Sequence, residues 1–328
     1  CPHILAEPMR TNLIPYSEDF ENSYYDVNNG VTATDDSTTS PSGLDNASKI
    51  LGGLDNAYIG ILQAYTTTST TVTTSVFLKQ DTISDVGLYY SGDLGDGAND
   101  NLDVDLSSGT LTSIGSALTA SITPYSDGWY KVTSTYTTKA SGSTLGIRLY
   151  SLTEGSFYAW GLQLEEGSYA TSYIPTSGGK VTRNQDIFTR DGIGSLINST
   201  EGVLFVEMAA LSNDGTFRII SLTDGGTTNR VSLIYNTSNN NIRVMVVSTS
   251  TVFDTSNSVT STLDFHKIAI KWKLNDFAVW IDGVEVATDT SGNTPVGLDR
   301  IVFDVGNGTL DFYGKVKQLQ VYDTALTD

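Results

Sequence analysis

Polar and apolar residues alternate along most of this chain, in short runs whose side chains change face at every step. Thr71–Gln80 (TVTTSVFLKQ) places Val72, Thr74, Val76 and Leu78 on one side. In Trp129–Thr137 (WYKVTSTYT), Tyr130, Val132 and Tyr136 point inward and Trp129, Lys131 and Thr133 point away. Leu145, Ile147 and Leu149 oppose Arg148 and Tyr150. In the run that starts at Phe157, Tyr158, Trp160, Leu162 and Leu164 share a side, with Phe157, Ala159, Gly161 and Gln163 opposite. A period of two is the side-chain period of a β-strand. Gly, Asn, Asp and Ser clusters separate the runs and long helical patterns are nearly absent, so the pattern predicts an all-β fold of antiparallel sandwiches.

After Gly167 the alternation stops. Tyr169, Tyr173 and Pro175 lead into Ser177-Gly178-Gly179, a break suited to a domain boundary. A second strand series follows: 202–210, 217–222, 230–235, 242–247, 266–274, 277–281 and 284–287. Asn275-Asp276 and Asp282-Gly283 mark its tight turns. In the last run, 314–322, Val316 joins the face of Leu319 and Val321 only if a bulge falls near Lys317-Gln318. The expected organisation is an arm at residues 1–11, a sandwich at 12–178 and a second sandwich at 179–328.

Composition narrows the function. The chain has 328 residues, with 37 acidic against 18 basic residues and a net charge of −19. Such a field repels phosphate backbones and anionic membrane surfaces, so nucleic acid is not an expected partner. No apolar run reaches the ~20 residues of a membrane helix, so membrane insertion is not expected either. One cysteine, Cys1, allows no intrachain disulfide. A chain that opens on Cys reads as a processed product or a fragment, and a mature lipoprotein also begins this way.

Three segments in order, Asn12–Phe20 (NLIPYSEDF), Asp127–Val132 (DGWYKV) and Trp160–Gly167 (WGLQLEEG), followed by Ala170–Thr176 and Val181–Arg183, resemble the head-spike or tail-fibre module of bacteriophage structural proteins. That module is similar to carbohydrate-binding-module β-sandwiches. The strand series from Glu201 through Lys271, Asn275–Ala278 and Asp282-Gly283 to Lys315–Tyr322 resembles a concanavalin A-like, laminin G-like jelly roll. The resemblance implies two antiparallel β-sandwich (jelly-roll) domains in series. It also implies an outward-displayed virion fibre or spike, on the virion surface or otherwise extracellular, that is commonly a homo-oligomer and often a trimer. Chains similar to the second part usually continue past Leu326-Thr327-Asp328 into a short helix, which favours the fragment reading.

Catalytic chemistry finds little support. His3 and His266 are the only histidines, His3 in the arm and His266 at the start of a strand, and no nucleophile-elbow motif accompanies them. A jelly-roll glycosidase needs two carboxylates flanking the scissile bond. The Glu-x-Asp-x-x-Glu string of the glucanase branch is absent, Glu207 and Glu285 are isolated, and the adjacent Glu165 and Glu166 point to opposite faces. The chain is therefore read as a non-enzyme. Sandwiches similar to the first often hold a structural Ca²⁺ between first and last strands, which selects Asp19, Glu21 and Glu165 as oxygen ligands. Asp93, Asp96, Asp100, Asp103 and Asp105 read as a solvated acidic loop.

Recognition remains. A sugar is held by an aromatic ring against its apolar face and by planar polar groups on its hydroxyls. Alternation selects Trp129, Tyr89 (or Tyr90) and Tyr150, accompanied by Lys131, Arg148 and Gln163, in the first sandwich. In the second it selects Trp280 with Lys271, while Trp272 falls with the core residues Ile268 and Ile270. The sequence reading is a virion fibre or spike that binds host-surface or environmental polysaccharide without turnover, weakly per site and strongly through many copies. A capsid-decorating or filament-forming subunit whose sandwiches bind one another is the second reading. A bacterial surface adhesin, or an accessory module of a secreted enzyme, is the third.

Overall fold

A computed structural model of the chain describes residues 3–53, 57–61, 65–66, 69–92, 99–137 and 144–326. Its strands pair antiparallel, and helix among the described residues is confined to two single 3₁₀ turns, Ser126–Gly128 and Gly194–Leu196. The chain divides into two compact units, Met9–Asn184, and Cys1–Pro8 with Gln185–Asp328.

The first unit is a two-sheet sandwich. One sheet runs, in spatial order, Thr110–Ile114, Asp100–Asp105, Asp85–Gly92, Thr144–Ser151, Tyr58–Ile61 and Tyr25–Asn28, with Tyr65–Thr66 also beside Thr144–Ser151. The facing sheet runs Leu118–Pro124, Trp129–Thr137, Thr71–Gln80, Gly155–Glu166, Asp45–Gly52 and Thr32–Thr39. Val72, Val76, Leu78, Val132 and Tyr136 from one sheet meet Val86, Leu88, Tyr90, Ile147 and Leu149 from the other in a single buried cluster. Each such side chain withdrawn from water contributes about 1.5–3 kcal/mol, which is what fixes the faces.

Strict alternation fails in the long strand that leads to the exit segment. In Gly155–Glu166, Phe157, Ala159, Leu162 and Leu164 all enter the core, while Tyr158 and Trp160 lie on the outer face. The cause is a bulge. Trp160 pairs with Phe77 and Gln163 with Ser75, so the strand carries one more residue than its partner across that interval. Gly161 absorbs the extra residue at φ +66°, a left-handed backbone open to glycine at little steric cost.

The second unit pairs two six-stranded sheets. One is ordered Ile4–Ala6, Gly314–Tyr322, Glu201–Ala210, His266–Lys273, Phe277–Ile281 and Val284–Asp289. The other is ordered Thr189–Arg190, Arg300–Val302, Arg218–Thr223, Asn229–Tyr235, Asn241–Ser248 and Ser250–Ser258. The bulge that Val316 needs near Lys317-Gln318 is present, because Met208 pairs with Val316 and Glu207 with Gln318. Val316 is therefore core, with Leu319 and Val321 packed against the same cluster.

The amino-terminal arm departs from expectation. Ile4–Ala6 pairs with Gly314–Val316 and Ala6 is fully buried, so the start of the chain completes a sheet of the second sandwich. Within that unit the Glu7 N–H donates to Asp186 Oδ2, and the Asp186 N–H returns a bond to the Glu7 carbonyl, both at 2.9 Å. Arg10–Asn12 pairs with Val181–Arg183 inside the first unit. The division of the chain thus falls at Met9 and Asn184, where the sequence had suggested 12 and 178.

Candidate functional site

Three residues selected from the sequence come together on the outer face of the first sandwich. In the Asp85–Gly92 sheet, Arg148 stands opposite Tyr89 on one neighbouring strand and Gly60 on the other. Two residues on, Tyr150 stands opposite Gly87 and Tyr58. The glycines give these long side chains room to lie across the sheet. A Cβ on Gly60 would come within 2.6 Å of Arg148 Cγ, and one on Gly87 within 2.2 Å of Tyr150 Cζ. The Arg148 guanidinium rests over Tyr58, 4.4 Å from the ring centroid, and reaches to 5.6 Å from that of Tyr89. Such contacts hold a cation flat against aromatic faces.

These side chains line an open groove of about 610 Å³, completed by Asn101, Ser151 and Leu152. The tyrosine hydroxyls are anchored from outside the lining. Tyr150 donates to Asp103 Oδ1, whose other oxygen accepts from Asn101 Nδ2 at 3.1 Å. Burial, reinforced by the Asp103 carboxylate, pushes the Tyr150 phenol well above its ordinary pKa, so it stays a neutral donor. Tyr58 donates to Asp26 Oδ2 at 3.3 Å. The result is a trough with three half-covered rings, a flat guanidinium and an amide. It offers stacking and planar hydrogen bonds, the requirements for holding a pyranose ring.

Sequence reasoning missed Tyr58 and Asn101. Tyr58 sits in a four-residue strand, YIGI, too short to register as an alternating run. Asn101 was hidden in the expected acidic loop, and that loop is a correction. Asp100–Asp105 is a strand whose Leu102 and Val104 enter the core. Asp100 accepts from the Ala117 N–H, and Asp105 caps the Ser107-Ser108 turn, whose donors hold its carboxyl down at about 2. Asp93 and Asp96 lie outside the described residues. Tyr90, the alternative to Tyr89, is core and bonds Ser134.

The remaining choices in the first sandwich sit on the other sheet's outer face, under cover. Trp129 is 1% exposed, its indole N–H donates to the Thr39 carbonyl at 3.1 Å, and it clusters with Phe77, Trp160 and Ala47. Lys131 donates to the Thr171 carbonyl at 3.0 Å. Gln163 is fully buried, accepting from the Ile174 N–H at 2.7 Å. Lys131 and Gln163 fasten the aromatic exit segment to the sheet, and Tyr173 packs its ring 4.4 Å from Trp160. Outward alternation was correct for Trp129 and Lys131; what it could not show was that the Thr39 carbonyl meets the first and the Thr171 carbonyl the second.

In the second sandwich, Trp280 is half-buried in a row with Ala269 and Phe205. Lys271 lies 5.7 Å from the Trp280 centroid, is itself buried, and pairs with Asp276 at 2.9 Å. Trp272 is core, as expected. Tyr89, Arg148 and Tyr150 thus share one site, while the two remaining groups stay apart from it on their own sheets.

The proposed calcium ligands do not form a cage. Glu165 is fully buried, and both its oxygens accept from Thr171, from the N–H at 3.0 Å and from the hydroxyl. Asp19 and Glu21 instead gather around Asp35. Asp35 Oδ1 accepts from the Phe20 N–H at 3.1 Å and from Ser48, and its own N–H donates to Glu21 Oε2 at 3.2 Å. Burial, with the facing Asp19 carboxylate, raises the Asp35 carboxyl to about 6. Among the described residues, no cluster of three or more Asp, Glu, His or Cys is arranged to hold a metal ion.

His266 has both ring nitrogens engaged, Nδ1 with Asp282 Oδ2 at 2.7 Å and Nε2 with the Ser261 carbonyl at 2.9 Å. It faces no hydroxyl nucleophile in that arrangement. His3 is exposed and meets Phe265 edge-on at 6.0 Å.

Residues 204–328 match the profile of the concanavalin A-like lectin/glucanases superfamily, in its laminin G form. No curated protein matches the chain. Among solved structures, domains LG4-5 of the mouse laminin alpha1 chain are 12% identical with a TM-score of 0.29, covering 85% of this chain and 93% of that one. The CBM22-1-CBM22-2 tandem of Paenibacillus barcinonensis Xyn10C is 11% identical with a TM-score of 0.32, covering 98% of this chain and 100% of that one.

Proposed function

We propose that this protein is a non-catalytic polysaccharide-binding protein whose primary site is the Tyr58–Tyr89–Arg148–Tyr150 groove. The observation that carries the reading is the register. Gly60 and Gly87 stand where a side chain would collide with Arg148 and Tyr150, so the strands are built to lay those two groups flat in one open trough. Core packing does not require this, because all four residues point away from the core cluster. The lectin-type profile match of residues 204–328 is consistent with a second recognition domain. A shallow site of this kind binds weakly alone, and a fibre or spike displayed in many copies on a virion supplies the multiplicity that makes it strong.

The non-enzymatic part of the proposal rests on chemistry. Among the described residues the groove lining carries no carboxylate, and the buried Glu165 is committed to Thr171. The test is affinity electrophoresis of the full chain through gels cast with neutral and acidic polysaccharides. Retardation by at least one polymer, without release of reducing ends, is the expected result. Unretarded migration through every gel, or release of reducing ends, would overturn the reading.

A further inference from the structure

We infer that the groove selects an acidic saccharide, a sugar bearing a carboxylate, with Arg148 as the residue that recognises it. This rests on the polysaccharide reading above and narrows its ligand class. Arg148 is the one charged residue in the described lining, and it is a cation in a chain with 37 acidic and 18 basic residues. Several other cations of this protein are paired with carboxylates, among them Arg218 with Asp214, Arg243 with Asp254, Arg300 with Asp299, and Lys271 with Asp276. Arg148 is held by no carboxylate among the described residues; its contacts are the faces of Tyr58 and Tyr89.

Among the described residues, the carboxylates bonded to the lining already accept hydrogen bonds from it. Asp103 accepts from Tyr150 and Asn101, and Asp26 accepts from Tyr58. Stacking against rings holds a guanidinium by its faces and leaves its in-plane N–H edge open, the edge that meets a carboxylate as a two-pronged pair. Two half-buried tyrosines flank that edge, so the sugar ring can stack while its carboxylate is read. The chain's net negative field disfavours a dense polyanion at long range, and the groove selects for the single carboxylate that reaches Arg148.

The test compares alginate, polygalacturonate and hyaluronan, each beside its carboxyl-reduced counterpart, in titrations against the full chain. At least one acidic polymer is expected to bind tenfold or more tightly than its reduced form. Arg148→Gln is expected to erase that preference, and Arg148→Lys to restore it only in part, since an ammonium cannot make the planar pair. Amide exchange across 71–80 checks that both variants are folded. Reduced forms binding as well as acidic ones, or a preference that survives Arg148→Gln, would overturn the proposal. If only neutral polysaccharides bind, acid selection fails while the groove reading stands; if no polysaccharide binds at all, both fail.

Discussion

Asp35→Asn is predicted to make the first sandwich more stable at neutral pH. Asp35 and Asp19 face each other, and the Asp35 carboxyl is lifted from its ordinary 3.8 to about 6. Because the folded state holds this proton more tightly than the unfolded chain, folding is favoured while the proton is bound. That advantage is complete below 3.8 and disappears as pH rises through about 6. At pH 7 the Asp35 carboxylate is charged and half-buried beside Asp19. Each pKa unit corresponds to about 1.36 kcal/mol, so a fully dry group shifted this far would cost about 3 kcal/mol. Asp35 is half exposed, and screening by water reduces this to about 1–1.5 kcal/mol. Asparagine keeps Oδ1 as acceptor for Phe20 N–H and Ser48, and turns an amide N–H toward Asp19. The slowest-exchanging amides of 72–78, in the core of this unit, report its global opening in the intact chain. The variant should exceed the wild type by about 1–1.5 kcal/mol at pH 7, and the gap should narrow as pH falls through about 6 and close below 3.8. A variant that is less stable at pH 7, or a gap that ignores pH, would show that the carboxylate pair is not strained.

Three further perturbations follow from the same geometry. Gly87→Ala should drive the Tyr150 ring off the sheet and break its bond to Asp103, costing about 1–2 kcal/mol in a urea melt and abolishing retardation by polysaccharide. Thr171→Val should leave one oxygen of the buried Glu165 without a donor, costing about 1–3 kcal/mol; amides of 169–176 should then exchange faster, while those of 85–92 do not. Removal of residues 1–8 deletes Ala6 from the core of the second sandwich and uncovers the edge of Gly314–Val316. The thermal transition of that unit should fall by several degrees while that of the first unit holds.

The sequence conveyed what period two can convey. The strands Phe277–Ile281 and Gly314–Tyr322 and the outward direction of Arg148 and Tyr150 follow from alternation and turn residues, whereas the bulge that admits Val316 and the choice between Tyr89 and Tyr90 do not. What it could not convey depends on other parts of the chain. Tyr58 becomes a site residue only through its register opposite Tyr150, and Trp129 ceases to be one because it is buried in the outer-face cluster with its indole N–H on the Thr39 carbonyl. The Gly161 bulge reversed the faces assigned to Leu162 and Leu164, since one glycine in a strand does not announce whether it bulges. Ile4–Ala6 is three residues long and finds its partner more than three hundred residues away, so no local pattern marks it.

Retardation of the Tyr58→Ala/Tyr89→Ala double variant, run beside the wild type through the gel that slows the wild type most, is the most direct test. Stripping both rings from beneath and beside Arg148 should return the variant to free mobility while its amide protection across 71–80 is unchanged. A folded double variant held back as strongly as the wild type would place the saccharide on some other surface and contradict the groove.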